Sequence, residues 1–431
     1  MSHNWSDTTR FHTDSGRDIW AVDFTAHPLL DPDFHLKRSR LLQLTRLTLK
    51  RMRSDDDQYR RELARLFHSP DSSRAQDNTL AVMATRATGY LQEADVYLEA
   101  TLGLLPDEGR EKVSPLEEVV VCQDVRDLLE LAFTGETARC RYEARRKLFL
   151  ARTLLHIDQT RAIQDGHRHR THFENLLNDG LWRHTKQIHD VNIGFQLGAD
   201  GQNIQYTTRP GPGDTRWDFR STFLEKSHDG RQIALDVLYY NCRFKRTVTP
   251  IGFEIVDGAR RVVEAGRWED MRKQSSGSIL SKMIRNGINN PNEIGDLIGA
   301  MFIVHDEDAL NDLLVLLDTC IGRPFGWRNV TDTLAKIPDG SALNQFSSKQ
   351  FKVFKGDVDV LIEEPGGGTC YLFPVEIQIY TLESYLRTVC STHEASHQAL
   401  KFRQFIFGLV PRIFPAAIYG KDWLNLETPA R

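Results

Sequence analysis

The run Leu297 to Val304, LIGAMFIV, is almost unbroken apolar side chain with an aspartate, Asp296, at its mouth. About seventy residues later FPVEIQIYT (Phe373 to Thr381) alternates Val375, Ile377 and Ile379 with Glu376, Gln378 and Tyr380. A period of two predicts a strand whose apolar side chains enter a core while its polar ones share the opposite face. A carboxylate on the open face of an otherwise buried strand is costly unless something binds there. If the two strands are neighbours, Asp296 and Glu376 can chelate one magnesium ion, which takes few protein oxygens and fills its shell with phosphate oxygens and water. Taken singly, each acid reads as an ordinary solvated or salt-bridged group.

Cations precede the first acid. The segment RKQSSGSILSKMIRNG carries Arg272, Lys273, Lys282 and Arg285 around a short amphipathic helix. Ser278, Lys282 and Arg285 fall at i, i+4 and i+7 on one helical face, and Ile279, Met283 and Ile284 lie toward the other. Cations followed by carboxylates suit a nucleoside triphosphate, because phosphoryl transfer depends mostly on positioning and charge neutralisation. The competing reading of the helix is a solvated charged face.

Together these residues resemble the synthetase domain of the RelA/SpoT family, the guanosine tetra- and pentaphosphate synthetases. The likeness rests on Arg272, on Ser278, Ile279, Lys282 and Met283 as a Ser-Ile-x-x-Lys-Met helix start, and on Asp296 before an apolar strand. It continues through Val375 to Ile379 as a Val-Glu-x-Gln-Ile strand and ends with His397 and Lys401, one helical turn apart. It spans about Gly266 to Phe407, so well over half the chain lies outside it.

The resemblance implies an α/β fold with a nucleotidyltransferase-like mixed sheet flanked by helices, and transfer of the β,γ-diphosphate of ATP to the 3′-hydroxyl of GDP or GTP. It implies Asp296 and Glu376 as catalytic holders of Mg2+, with Glu376 near the acceptor hydroxyl. It assigns Arg272, Lys273, Ser278, Lys282 and Arg285 to ATP, and Asn344, Phe346, Ser348, Gln378, His397 and Lys401 to the acceptor.

Two departures bear on these assignments. Gln274 stands where the family has its first lysine, leaving Lys273 one residue out of register. The family's Asn-Gly-Tyr-x-Ser-x-His segment reads NQFSSKQ here, so Phe346 keeps a stacking face without the hydroxyl, and Gln345 and Gln350 replace the Gly and His. The altered segment suits a second acceptor, the 3′ end of tRNA, as in small toxic relatives. The lysine shift suits a nucleotide- or partner-binding sensor without catalysis.

The chain's 431 residues, 40% of them hydrophobic, can build more than one core. A formal net charge of −4 argues against broad coating of nucleic acid. Six cysteines without C-x-x-C or zinc spacing suggest reduced thiols, and no run approaches membrane-spanning length, so a cytoplasmic protein without membrane contact is expected.

A helical period from Asp33 to Phe67 and again from Leu116 to Gln187 predicts a mainly helical N-terminal region, 1–190, read as regulatory with a protein partner as its natural target. Alternation at Trp217, Phe219 and Phe223, a turn at Asp229-Gly230, and alternation at Ile233, Leu235, Val237 and Tyr239 predict a hairpin within a β-rich module, 191–265. The synthetase-like domain then occupies 266–431, with Pro365 to Gly368 at a second hairpin tip. His189-Asp190, with His156, His167, His169, His172 and His184 upstream, resembles the His-Asp pair of the metal-dependent hydrolase domain that long members of the RelA/SpoT family carry. The strands expected after it argue for surface and helix-capping histidines instead. Oligomeric state has no sequence signal.

Overall fold

A computed structural model describes residues 27–34, 40–67, 80–103, 105, 107–158, 160–198, 204–244, 253–256, 259–262, 276–291, 294–322, 326–333, 353–363, 368, 370–390, 402–421 and 423. The chain divides into two compact units, one formed by Met1–Ile163, Val248–Ile294 and Gln404–Arg431, the other by Gln164–Thr247 and Gly295–Arg403.

The first unit is mainly helical, with α1 (Arg40–Met52), α2 (Asp56–Phe67), α3 (Leu80–Leu102), α4 (Asp107–Val113), α5 (Glu117–Val120), α6 (Val125–Thr134) and α7 (Ala138–Asp158). Asp124 caps α6 by accepting from the Arg126 amide at 2.7 Å. The unit is organised by α7, which is buried on every side, cations included: Arg145, Arg146 and Lys147 are each at most 1% exposed. A helix buried all round belongs inside a bundle, and its charges must then be matched.

Lys147 donates to the carbonyls of Val119, Val120 and Cys122 at 2.9, 3.0 and 2.8 Å and pairs with Asp95 at 2.8 Å. Arg145 donates to the carbonyls of Leu29 and Asp31, and Arg146 to the carbonyl of Ile413 and the Tyr419 hydroxyl. These cations therefore pin four sequence-distant segments to one helix. Lys147→Met would remove a charged donor from three carbonyls and the cation from Asp95, leaving Val120 and Asp95 with the Gln123 amide alone. It is expected to lower unfolding free energy by about 3 kcal/mol or more in urea titrations, and a loss under about 1 kcal/mol would contradict this account.

Burial lowers the pKa of His27 to about 4, and burial together with Arg152 does the same for His156. Unfolded histidine titrates near about 6.5, so between the two values the unfolded chain binds more protons. The stability these groups contribute is complete above about pH 6.5 and is lost as pH falls toward 4. The urea midpoint is expected to drop between pH 7 and pH 5, and His156→Gln to shrink that drop.

Helix α8 (Arg161–Gln164) leads into the second unit, which holds α9 (Gly166–Gly180) and an eight-stranded mixed sheet. Its strands are β1 (Thr185–Leu197), β2 (Ile204–Thr207), β3 (Thr215–His228), β4 (Arg231–Phe244), β7 (Ile298–Val304), β8 (Trp327–Asp332), β9 (Phe354–Glu363) and β10 (Cys370–Thr381). They lie in the order β2-β1-β3-β4-β7-β10-β9-β8, with α11 (Glu307–Leu317) and α12 (Leu382–Cys390) in the same unit. The remaining strands, β5 (Phe253–Val256) and β6 (Ala259–Val262), pair with each other in the first unit, which also contains α10 (Gly277–Asn286). The chain is therefore α/β, with a mixed sheet flanked by helices.

The β3–β4 hairpin forms where expected, and Asp229 (φ 48°) and Gly230 (φ 79°) both adopt the left-handed conformation of a tight two-residue turn. The expected separate β-rich module, 191–265, is not what the strands build. Strand β4 is fourteen residues long; Arg231–Val237 pairs with β3, and Val237–Phe244 continues onto β7. One long strand thus joins the early strands to the later ones in a single sheet. The boundary at 265 fails for the same region, because α10 and residues 404–421 belong to the helical unit. Period alone identifies a strand but not its partner.

One face of the sheet carries Ile298, Ala300, Phe302, Val375, Ile377 and Ile379, all at most 2% exposed. Trp182 and Tyr240 pack on Phe302 there, and His169 stacks on Phe373 at 4.4 Å. The other face is apolar at one end, where Leu382 and Leu386 of α12 cover Ile303 and Tyr380. Its other end is charged.

Candidate functional site

The charged end is built by register. Strand β10 runs parallel to β7 with Glu376 opposite Gly299, and antiparallel to β9 with Glu376 opposite Asp357 and Gln378 opposite Lys355. On β4, Arg243 stands opposite Gly299. Residues opposite each other point to the same face, so Arg243, Gly299, Glu376 and Asp357 form one row across four strands. Gly299 puts no side chain into that row, which leaves the space between Arg243 and Glu376 open. Asp296 lies in the turn two residues before β7.

Within this cluster Lys355 forms an ion pair with Glu376 Oε2, and the Gln378 amide donates to Glu376 Oε1 at 2.5 Å. The Tyr380 hydroxyl donates to Gln378 at 3.3 Å, fixing the amide in turn. Burial alone would lower the Lys355 ammonium. Glu376, Asp296 and Asp357 outweigh it and hold the group above the ordinary lysine range. Asp357 is raised, first by burial and then by Glu376 and Asp296, against a 2.7 Å hydrogen bond from Asn329 Nδ2. Three carboxylates thus share one electrostatic environment around a lysine.

Asn329 occupies a left-handed backbone (φ 51°) at an irregularity in the β8–β9 ladder. Asparagine tolerates that conformation better than other side chains, and a bulge re-aims the residue it carries. Asn329→Gly keeps the backbone and loses the amide, whereas Asn329→Val loses both. The valine variant is expected to be less stable than the glycine variant by about 1 kcal/mol or more in thermal unfolding, and equal stability would show that the backbone there is unstrained.

Among the expected site residues, Asp296, Glu376 and Gln378 come together, and Gln378 serves Glu376 directly. Ser278, Lys282 and Arg285 lie on α10 in the other unit. Ser278 is exposed, Lys282 and Arg285 are half-buried, and Ile279, Leu280, Met283 and Ile284 are buried, as the helical spacing requires. Arg285 donates to Gln404 at 2.8 Å, and the helix is held by Ser276 donating to Asp158 and by Ser281 bonded to Tyr97. Arg272, Lys273, Asn344, Phe346, Ser348, His397 and Lys401 lie outside the described residues.

Sequence reasoning missed Lys355, Asp357, Asn329 and Arg243. The alternation of Lys355, Asp357 and Asp359 with Gly356, Val358 and Val360 marks a two-faced strand, and that signal was present. His189 and Asp190, adjacent on β1, point to opposite faces and so cannot ligate one ion. Among the described residues no three His, Cys, Asp or Glu side chains converge to hold a metal by themselves, and no helix is long and apolar enough to cross a membrane.

Comparison with known proteins yields solved structures only. Small alarmone synthetase 1 from Bacillus subtilis matches at 16% identity and TM-score 0.22, over 35% of this chain and 56% of that one. The small alarmone synthetase 1 from Bacillus subtilis bound to its product pppGpp matches at 19% and 0.21, over 26% and 54%. A GTP pyrophosphokinase family protein from Streptococcus pneumoniae matches at 17% and 0.20, over 28% and 61%. The chain thus spans little more than half the length of the structures it matches. Superpositions at these TM-scores leave function to the side chains. No family model and no curated protein sequence matches the chain.

Proposed function

We propose that this chain transfers the β,γ-diphosphate of ATP to the 3′-hydroxyl of GDP or GTP, with Asp296 and Glu376 holding the magnesium ion. The observation that carries the reading is the parallel pairing of β7 and β10, which sets Glu376 beside the strand that Asp296 opens. The donor set fits the ion, since both groups are hard oxygen ligands and the cluster already draws a cation, Lys355, onto Glu376. When bound, magnesium would neutralise charge on the transferred phosphates.

In this reaction the acceptor 3′-oxygen bonds to the β-phosphorus, the bond from that phosphorus to the α-phosphate oxygen breaks, and AMP leaves. The acceptor proton passes to a carboxylate or to water at the site. Gln378 holds the Glu376 carboxylate in one orientation, and exposed Arg243, across Gly299, offers a cation to phosphate from the same face. Phe346 would stack on the acceptor base beside Asn344 and Ser348, and His397 and Lys401 would take the far phosphates. Transfer to the 3′ end of tRNA is the same chemistry on a second acceptor.

Incubation with γ-labelled ATP and a panel of GDP, GTP, GMP and bulk tRNA identifies the acceptor. Label is expected in GDP or GTP; label in tRNA alone would replace the acceptor, and label in none would remove the activity. Asp296→Asn and Glu376→Gln are each expected to cut transfer more than tenfold, about 1.4 kcal/mol of barrier, with the fold intact by circular dichroism. Retention of more than about a tenth of the rate by either would dissolve the two-acid site.

A further inference from the structure

Lys355 reaches Glu376 from the neighbouring strand. It stands opposite Gln378, two pairs along from Glu376↔Asp357 on the same face, so its ammonium meets Glu376 Oε2 on the diagonal. Gln378 takes the other oxygen. Both oxygens of the carboxylate assigned to the metal are therefore engaged by this chain's own side chains. The two partners differ in kind. Gln378 is itself fixed by Tyr380 and leaves a lone-pair direction on Oε1 free for a ligand. Lys355 places a positive charge on Oε2, at the position a divalent cation would need.

Three features mark that lysine as a placeholder rather than a permanent strut. Its side chain is 39% exposed, against 9% for Glu376, so the ammonium end has room to leave. Lysine is a point charge on a flexible four-carbon stem, able to exchange a carboxylate for a phosphate without moving the backbone. The cluster it serves holds Asp296 and Asp357 as well as Glu376, so one ammonium against three carboxylates leaves formal negative charge that a divalent ion can still neutralise.

On the reading of the site given above, we propose that Lys355 is the resident counter-ion of the carboxylate cluster. Arrival of a divalent cation with a nucleoside triphosphate transfers its ammonium from Glu376 to a phosphate oxygen. No covalent bond changes; one ion pair is exchanged for another. Before nucleotide binds, Lys355 and the metal compete for Glu376, so the metal enters effectively only with the triphosphate, whose oxygens give the lysine somewhere to go.

The test is manganese binding by the full chain, followed by electron paramagnetic resonance, without nucleotide. Lys355→Met keeps the length and apolar stem and removes the charge. It is expected to bind Mn2+ about tenfold or more tightly than wild type, while Lys355→Arg, which keeps the charge, binds as weakly as wild type. Adding an ATP analogue is expected to tighten Mn2+ binding much more in wild type than in Lys355→Met. If Lys355→Met fails to fold, Lys355→Gln carries the same comparison.

Unchanged or weaker Mn2+ binding by a folded Lys355→Met or Lys355→Gln would overturn the proposal and leave Lys355 a structural ion pair. Failure of the pyrophosphokinase reading shows separately, as a wild-type chain that binds Mn2+ with ATP analogue yet passes label to no acceptor. If neither wild type nor variant binds Mn2+ with or without nucleotide, the metal site and this inference fall together.

Discussion

Taking three carboxylates out of bulk water onto one patch of a sheet requires positive charge, and the second unit is arranged around meeting that requirement. Asp296 ends the turn before β7, Glu376 lies on β10 and Asp357 on β9, so their proximity depends on the register of three adjacent strands. A slip of one residue in β10 would turn Glu376 into the apolar face and Val375 or Ile377 out of it. The fully buried Val375, Ile377 and Ile379 oppose that slip, which makes the apolar face the device that fixes the charged one.

The same logic operates in the first unit with the signs reversed. There the buried groups are cations on α7, and backbone carbonyls with Asp95 and Glu143 supply the matching negative charge. Such matching adds little to stability beyond what apolar side chains would give, but breaking it is costly, so it specifies which segments dock on α7. The N-terminus of α10 is handled similarly, with Ser276 tied to Asp158 at the end of α7. The helix carrying Ser278, Lys282 and Arg285 is thereby coupled to the helical region that precedes it.

What could be read from the sequence follows from what a local pattern can encode. Period-two alternation gave β10 and the sidedness of Glu376 and Gln378, and the apolar run gave β7. Asp229-Gly230 marked the hairpin, because positive φ at two successive positions restricts which residues fit. Helical spacing gave the two faces of α10. Partnership between distant strands is non-local, so the pairing of β4 with β7 was not legible and a single sheet was read as two modules. Lys355 and Asp357 were missed for the same reason, since their meaning comes from standing opposite Gln378 and Glu376. Asn329 depends on a bulge, which no alternation announces. The inward turn of the α7 cations toward carbonyls is non-local in the same way, since helical period does not say which charges are matched inside a bundle.

The central claim is that Asp296 and Glu376 act together on one divalent ion. Its most direct test is anomalous diffraction from crystals grown with Mn2+ and a non-hydrolysable ATP analogue. The account predicts a manganese peak with oxygens of both carboxylates in its first coordination sphere, and with the Lys355 ammonium withdrawn from Glu376 to the nucleotide phosphates. Bound nucleotide with no metal at these two acids, and Lys355 still paired to Glu376, would contradict it.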